Sequence, residues 1–163
     1  EHKLTEPAQI LDKLREIVLR SLDSQGENVK DGMDMSLCTL DKDTMTLKYA
    51  GANNECVIIR DKQLIELKSD KQPIGHFEYA KPFKQQEIQL QPGDCIYQFT
   101  DGYIDQFGGE RGKKLKSKPF KQMLVQVSHL SMDEQQVKIK DFFDSWISNY
   151  EQIDDVCVFG VKV

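Results

Sequence analysis

Apolar residues recur at helical spacing near the start of the chain, and this pattern predicts a long first helix. Thr5-Glu6-Pro7 is typical of a helix start, because proline is favoured in the first turn. We expect one helix from about Glu6 to Leu22, with a single apolar stripe that packs on a core. The stripe consists of Ile10, Leu11, Leu14, Ile17, Val18 and Leu22.

The chain up to about residue 100 then carries the shorter apolar runs of β-strands. Asp41–Thr44 and Asp61–Lys62 separate neighbouring runs and have the composition of hairpin turns. The polar segment Ser24–Gly32 predicts a loop, and Gly51–Asn54 predicts a turn, with pocket lining as the alternative. The expected strands are Met33–Leu40, Met45–Ala50, Glu55–Arg60, Gln63–Leu67, Gln86–Leu90 and Cys95–Phe99.

Two helical patterns and one last strand complete the chain. Ser117 is expected to cap the first of these helices, and the capping box Ser131–Glu134 opens the second. The continuous apolar run Val156–Val163 predicts a terminal strand. Strands and helices are grouped rather than alternating as βαβ units, so we expect an α+β fold. A length of 163 residues fits a single domain, residues 1–163.

The composition of the chain argues against two classes of function, nucleic-acid binding and membrane insertion. With 39% hydrophobic and 30% charged residues, the chain has the composition of a soluble globular domain. Its net charge is −5 and no long run of Lys or Arg offsets it, so we expect no surface that binds nucleic acid. The basic stretch Arg111–Lys118 is expected to be a solvated loop, with an anion or protein contact as the alternative. No run approaches about 18 consecutive apolar residues, so we expect no direct membrane insertion by this segment. The chain does not begin with Met and starts in a helical pattern, which favours a piece of a longer protein.

The four cysteines are far apart and form no CxxC motif. Cys38, Cys56, Cys95 and Cys157 each lie in an apolar, strand-like run. Small buried thiols explain this placement better than metal ligands or a disulfide framework. This usage predicts a reducing compartment and hence a cytoplasmic location.

Candidate chemistry lies where the strand Cys95–Phe99 ends in Thr100-Asp101-Gly102. A glycine after a fixed carboxylate lets backbone, ion or ligand come close, although an ordinary Asp-Gly turn is the alternative. Asp154-Asp155 stands directly before the terminal strand, where a solvated strand cap is the alternative. If the two strands are adjacent and antiparallel, these acidic positions converge at one edge of the sheet. Grouped carboxylates favour a hard divalent cation between them, and Mg²⁺ or Mn²⁺ would fit.

Taken together, these motifs resemble the metal-dependent (PPM, 2C-type) serine/threonine protein phosphatases, and more particularly their SpoIIE-like branch. The resemblance implies an α-β-β-α sandwich of antiparallel sheets flanked by helices. The segments that carry it are Asp31–Cys38, Tyr49–Asn54, Pro73–Gly75, Gly93–Gly102 and Asp154–Asp155.

The resemblance also implies an activity, the hydrolysis of phosphoserine or phosphothreonine on a protein. In such enzymes two Mn²⁺ or Mg²⁺ ions, roughly 3.5–4 Å apart, clamp the phosphate and activate a water. Carried over by motif, Asp101 and Asp154 are implied to be metal ligands and Asp155 to have an orienting role. Thr100 and Gly102 would shape the corner of the site.

Further implications concern the surroundings of the site and the parent protein. Asn53 and Asn54 are weaker candidates for lining the pocket. Modules of this branch are often the C-terminal output end of a longer signal-transduction protein. The resemblance therefore implies an upstream sensory domain and a cytoplasmic location, including the cytoplasmic part of a membrane-anchored sensor. It also implies a phosphorylated protein substrate, with anti-sigma-factor antagonists common among them.

One departure from the family pattern changes the expected activity. The family's first metal aspartates lie on its opening strands, one of them in a motif like D-x-x-G-H-G, and this sequence has no such motif. The chain thus resembles the C-terminal two thirds of the domain, truncated at its N-terminus. We expect loose metal binding, little catalysis by this chain alone, and homo-oligomers formed through exposed sheet edge and apolar surface. A non-catalytic, phosphatase-like interaction module is the alternative function.

Overall fold

The computed structural model describes residues 4–23 and 32–163, and the loop prediction for residues 24–31, including the motif residue Asp31, lies outside them. The described helices are α1 Pro7–Asp23, α2 Asp101–Asp105, α3 Ser117–Val127 and α4 Met132–Ile147. The described strands are β1 Gly32–Met33, β2 Met35–Asp41, β3 Thr46–Ala52, β4 Cys56–Arg60, β5 Gln63–Leu67, β6 Ile74–Gly75, β7 Gln86–Gln89, β8 Cys95–Phe99, β9 Phe107–Gly108, β10 Lys113–Lys114 and β11 Val158–Lys162.

The first of two compact units comprises Glu1–Cys56 and Leu67–Leu90. Its main sheet has the order β2-β3-β7, with both pairs antiparallel, and β1 pairs with β6. Helix α1 packs against this unit through the stripe that the sequence predicts, although Ile17 is 50% exposed and does not belong to the core. The buried residues of the hydrophobic cluster beneath α1 are Ala8, Leu11, Ala50, Ala52, Ile74 and Phe83.

The second unit comprises Val57–Glu66 and Gln91–Val163. Its sheet has the order β11-β8-β4-β5, and an aromatic cluster fills the core beside it. The ring of Phe120 in α3 lies 4.9 Å from that of Phe99 and 4.2 Å from that of Tyr103. Phe143 in α4 extends the cluster, with its ring 4.9 Å from Tyr103. Helices α2, α3 and α4 are thereby fixed around the end of β8.

The α+β prediction is confirmed, because both units combine helices with antiparallel strand pairs. The short helix α2 was not predicted, since the sequence indicated a turn at Asp101. The terminal strand is also shorter than predicted and lies at a sheet edge. Phe159 on this edge strand is 59% exposed. No helix in the described ranges is long and apolar enough to cross a membrane.

The capping box of α4 is confirmed, whereas two other helix predictions need correction. Glu134 N donates to the Ser131 hydroxyl, and the Glu134 carboxylate accepts from Ser131 N. Helix α3 begins at Ser117, with Lys116 rather than Ser117 in the capping position. The helical pattern after Ser131 also predicts that Val137 packs on the core, but Val137 on α4 is 56% exposed and does not belong to the packing face.

The cysteine prediction is confirmed for two residues and wrong for one. All four thiols are free; Cys56 and Cys95 are buried and Cys38 is half-buried. Cys157 is exposed, because it precedes β11 at the edge of the sheet rather than lying inside it.

Candidate functional site

Strands β8 and β11 are direct neighbours and run antiparallel. Their register pairs Phe99 with Val158 and Cys95 with Lys162. The end of β8 therefore meets the start of β11. This is the arrangement on which the sequence-based site depends, and it brings the Asp101 corner to the segment that carries Asp154 and Asp155.

Hydrogen bonds of Thr100 fasten the two segments together. Thr100 N donates to Cys157 O at 3.0 Å, which extends the strand pairing by one step. The Thr100 hydroxyl donates to Asp155 O at 2.9 Å and accepts from Cys157 N at 3.0 Å. One side chain thus satisfies two backbone groups of the acidic segment and fixes its path.

Gly102 allows the closest approach between the two segments. A Cβ added at Gly102 would lie 2.3 Å from Asp155 O and 3.0 Å from its carbonyl carbon, which no side chain could accept without a backbone shift. The same Cβ would lie 3.4 Å from the Cβ of Asp154. The need for glycine at this position is therefore steric, and it follows from contact with Asp154-Asp155.

Both candidate ligands are exposed to solvent. Asp101 is the first residue of α2, where a carboxylate is favoured by the N-terminal end of the helix. The Asp154 carboxylate accepts from Asp155 N at 2.7 Å, and Gln152 Nε2 donates to Asp154 O at 2.8 Å. The contacts that the structure shows for Asp155 use its backbone, so the predicted orienting role of its side chain stays a prediction.

The donor chemistry of this corner fits a hard divalent cation, but the described residues supply only part of a ligand set. Carboxylate oxygens are the ligands that Mg²⁺ and Mn²⁺ prefer. Gly102 lets the backbone of the Asp154-Asp155 segment lie directly against the Asp101 corner. In the ranges 4–23 and 32–163, however, no three His, Cys, Asp or Glu residues are grouped so that they could hold a metal ion.

Asn53 and Asn54 form a tight turn in the first unit, as the turn interpretation predicts. Asn53 has a φ of +57°, and Asn54 N donates to Ala52 O at 2.6 Å. The Asn53 side chain donates to Asp34 Oδ1 at 2.8 Å, and Tyr49 OH donates to Asn54 O at 2.7 Å. These contacts account for both asparagines structurally, and pocket lining stays a prediction.

The sequence model of the family described as Stage II sporulation protein E (SpoIIE) matches residues 1–163. The chain belongs to the SpoIIE family. This confirms the resemblance on which the sequence analysis relied.

Solved structures similar to this SpoIIE-family chain are phosphatase domains. The SiaA-PP2C domain of Pseudomonas aeruginosa superposes with a TM-score of 0.88 at 27% identity, over 98% of this chain and 61% of that one. The manganese-soaked phosphatase domain of the cell fate determinant SpoIIE from Bacillus subtilis gives a TM-score of 0.61 at 16% identity, over 100% of this chain and 75% of that one. This chain thus spans less than two thirds of the SiaA-PP2C chain. No curated protein sequence matches it.

A buried ion pair at the start of β8 was not recognised from the sequence of this SpoIIE-family member. Asp94, which the sequence places in a tight turn, is 1% exposed. Its carboxylate accepts from Arg60 Nε at 2.9 Å, from Arg60 Nη2 at 2.7 Å and from Gln91 N at 2.9 Å. Burial alone raises the pKa of Asp94, but the hydrogen bonds from Arg60 and Gln91 outweigh it and leave the pKa lowered. The pair ties the end of β4 to the turn before β8, the strand that delivers Asp101.

Proposed function

We propose that this chain is part of a metal-dependent protein serine/threonine phosphatase, with Asp101 and Asp154 as two of its metal ligands. The observation that carries the proposal is the contact between Gly102 and the Asp154-Asp155 segment, which makes the two acidic positions neighbours. Membership of the SpoIIE family and similarity to PP2C phosphatase domains support the reaction class.

In this proposal the residues of the chain hold and orient the reacting groups. Asp101 and Asp154 would bind Mn²⁺ or Mg²⁺ through carboxylate oxygens, and Gly102 would keep the two segments close enough for both to contact the ion. When bound, such an ion acts as a Lewis acid on phosphate oxygens and lowers the pKa of a coordinated water. The Thr100 hydroxyl would hold the Asp155 carbonyl and so keep Asp154 in position.

Two carboxylates are fewer than a dinuclear site requires. We propose that the remaining ligands come from residues of the parent protein outside the described ranges, and that this chain alone is close to inactive. The lack of a three-ligand group in the described ranges also favours the second candidate, a non-catalytic interaction module with a phosphatase fold. Under either candidate, the partner would be a phosphorylated protein, and an upstream sensory domain would control the module.

Hydrolysis of p-nitrophenyl phosphate with and without Mn²⁺ tests the proposal. This chain should show near-background activity, and a protein extended at the N-terminus with its native sequence should show robust, Mn²⁺-dependent activity. Asp101→Ala in the extended protein should abolish that activity. Asp105→Ala is the matched control, because Asp105 lies on the same helix but pairs with Lys114. An extended protein that contains the upstream acidic motif, folds and binds Mn²⁺ yet hydrolyses nothing would leave the interaction module as the function.

A further inference from the structure

Two cysteines of the first unit lie side by side. The Sγ atoms of Cys38 in β2 and Cys56 at the start of β4 are 3.9 Å apart, although the residues are 18 positions apart in the chain. Cys56 is fully buried and Cys38 is partly accessible. Cys38 is therefore the more accessible residue of the pair, and its sulfur lies next to that of a buried cysteine.

We propose that Cys38 and Cys56 form a site of reversible oxidation, at which a peroxide converts the two thiols into a disulfide. A disulfide bond is about 2.05 Å long, so the sulfur atoms must approach each other by about 1.9 Å. The proposal is independent of the phosphatase assignment, because neither cysteine belongs to the Asp101–Asp154 corner.

The order of the chemical steps follows from the different surroundings of the two thiols. The hydrogen bond between the two thiols lowers the pKa of Cys38, against the opposing effect of burial. The same pairing raises the pKa of Cys56 and keeps it a thiol. The accessible Cys38 is therefore the nucleophile, and Cys56 is the resolving residue.

The reaction balances with hydrogen peroxide as the only oxidant. The Cys38 thiolate attacks one peroxide oxygen, the O–O bond breaks, and hydroxide leaves while Cys38 becomes a sulfenic acid. The Cys56 sulfur then attacks the Cys38 sulfur, the S–O bond breaks, and the hydroxyl leaves with the Cys56 proton as water. Two thiols lose two electrons in total, and one peroxide becomes two waters.

The disulfide would close a covalent loop around strand β3 and the turn at Asn53. A cross-link of this kind removes open conformations from the unfolded chain. The oxidised protein should therefore unfold at a higher temperature than the reduced protein.

Peroxide treatment of the folded chain, followed by thiol counting in denaturant and mass spectrometry, tests the proposal. The four thiols of the sequence should fall to two. The intact mass should fall by about 2 Da, as expected for the loss of two hydrogens. Peptide mapping should find Cys38 linked to Cys56, and dithiothreitol should restore all four thiols.

Matched variants separate this pair from the other cysteines. Cys38→Ser should abolish the loss of mass, whereas Cys157→Ser, which changes an exposed thiol, should still lose two thiols. Cys56→Ser should likewise abolish the loss of mass. If that variant does not fold, the peptide map of the unaltered chain tests whether Cys38 and Cys56 are linked. Retention of all four thiols, a cross-link that involves Cys157 or Cys95, or oxygen added to Cys38 without a cross-link would overturn the proposal.

Discussion

Gly102 is the single residue on which the candidate site depends most directly. Gly102→Ala places a Cβ 2.3 Å from Asp155 O, so the backbone of one segment must move. We expect a loss of about 1–3 kcal/mol in the free energy of unfolding, the usual cost of overpacking. Urea denaturation at pH 7 measures it. Asp101→Ala is the control, because it removes a candidate ligand from the same corner without crowding it. Equal stability of Gly102→Ala and the unaltered chain would show that the contact is absent in solution.

The Thr100 hydroxyl makes a second prediction at the residue scale. Thr100→Val keeps the shape of the side chain but removes the donor to Asp155 O and the acceptor for Cys157 N. Because these hydrogen bonds are exposed to water, we expect a loss of only about 0.5–1.5 kcal/mol in unfolding free energy. Thr100→Ser should retain most of the stability, and urea denaturation of both variants checks this. A valine variant as stable as the unaltered chain would contradict a role for these hydrogen bonds.

Single residues of the site were predictable to different degrees. Asp101 and Asp154 were found because each adjoins an apolar run, and strand pairing brings such boundaries together. The hydrogen bonds of Thr100 could not be predicted, since a threonine at a strand end is ordinary and its partners lie more than fifty residues away. The burial of Asp94 against Arg60 could not be predicted either, because the sequence around Asp94 is typical of an exposed turn.

At the scale of elements, the ion pair of Asp94 and Arg60 connects β4 to the start of β8. Asp94→Asn keeps the shape but removes the charge that Arg60 binds at two points. We expect a loss of about 1.5–3 kcal/mol in unfolding free energy at pH 7, the range for hydrogen bonds to charged groups, because Asp94 is buried but Arg60 is partly exposed. Asp141→Asn, an exposed change on α4, is the control and should be nearly neutral.

The pH dependence of the stability that Asp94→Asn loses gives an independent check on whether the loss is electrostatic. The pKa of Asp94 is lowered in the folded state, so its charge stabilises the fold above the unfolded pKa of about 3.9. The contribution is lost as pH falls through the folded pKa. The stability difference between Asp94→Asn and the unaltered chain should therefore shrink below about pH 4. A difference that stays constant from pH 7 down to pH 3 would contradict an electrostatic cause.

Most elements were predictable, and the exceptions have physical reasons. The long helices and the hairpins follow from apolar periodicity and turn composition. Helix α2 was missed because it has only five residues, too few for a helical pattern to appear. The exposure of β11 was missed because a continuous apolar run does not reveal whether a strand lies at the centre or the edge of its sheet.

At the scale of the whole molecule, the motif order was more informative than any single motif. Asp-Gly and Asp-Asp are each common, but five segments in one order indicated the SpoIIE family, and the family match covers the whole chain. The metal site itself could not be completed from this sequence, since the described residues hold no three-ligand group. The fold was thus predictable from pattern, whereas the described residues supply only part of the proposed ligand set.

The apolar edge of β11 makes the last prediction, that the chain associates with itself. Phe159 is 59% exposed and Val161 39% exposed, and both lie on the same face of the edge strand. Such an edge favours pairing with another copy, and a lysine there opposes it. Sedimentation equilibrium measures the average mass at a range of protein concentrations. This mass should rise with concentration for the unaltered chain and should stay at the monomer value for Phe159→Lys. Val137→Lys replaces an equally exposed residue on α4 and should associate as the unaltered chain does. If all three proteins stay monomeric, or all three associate equally, β11 is not the contact surface.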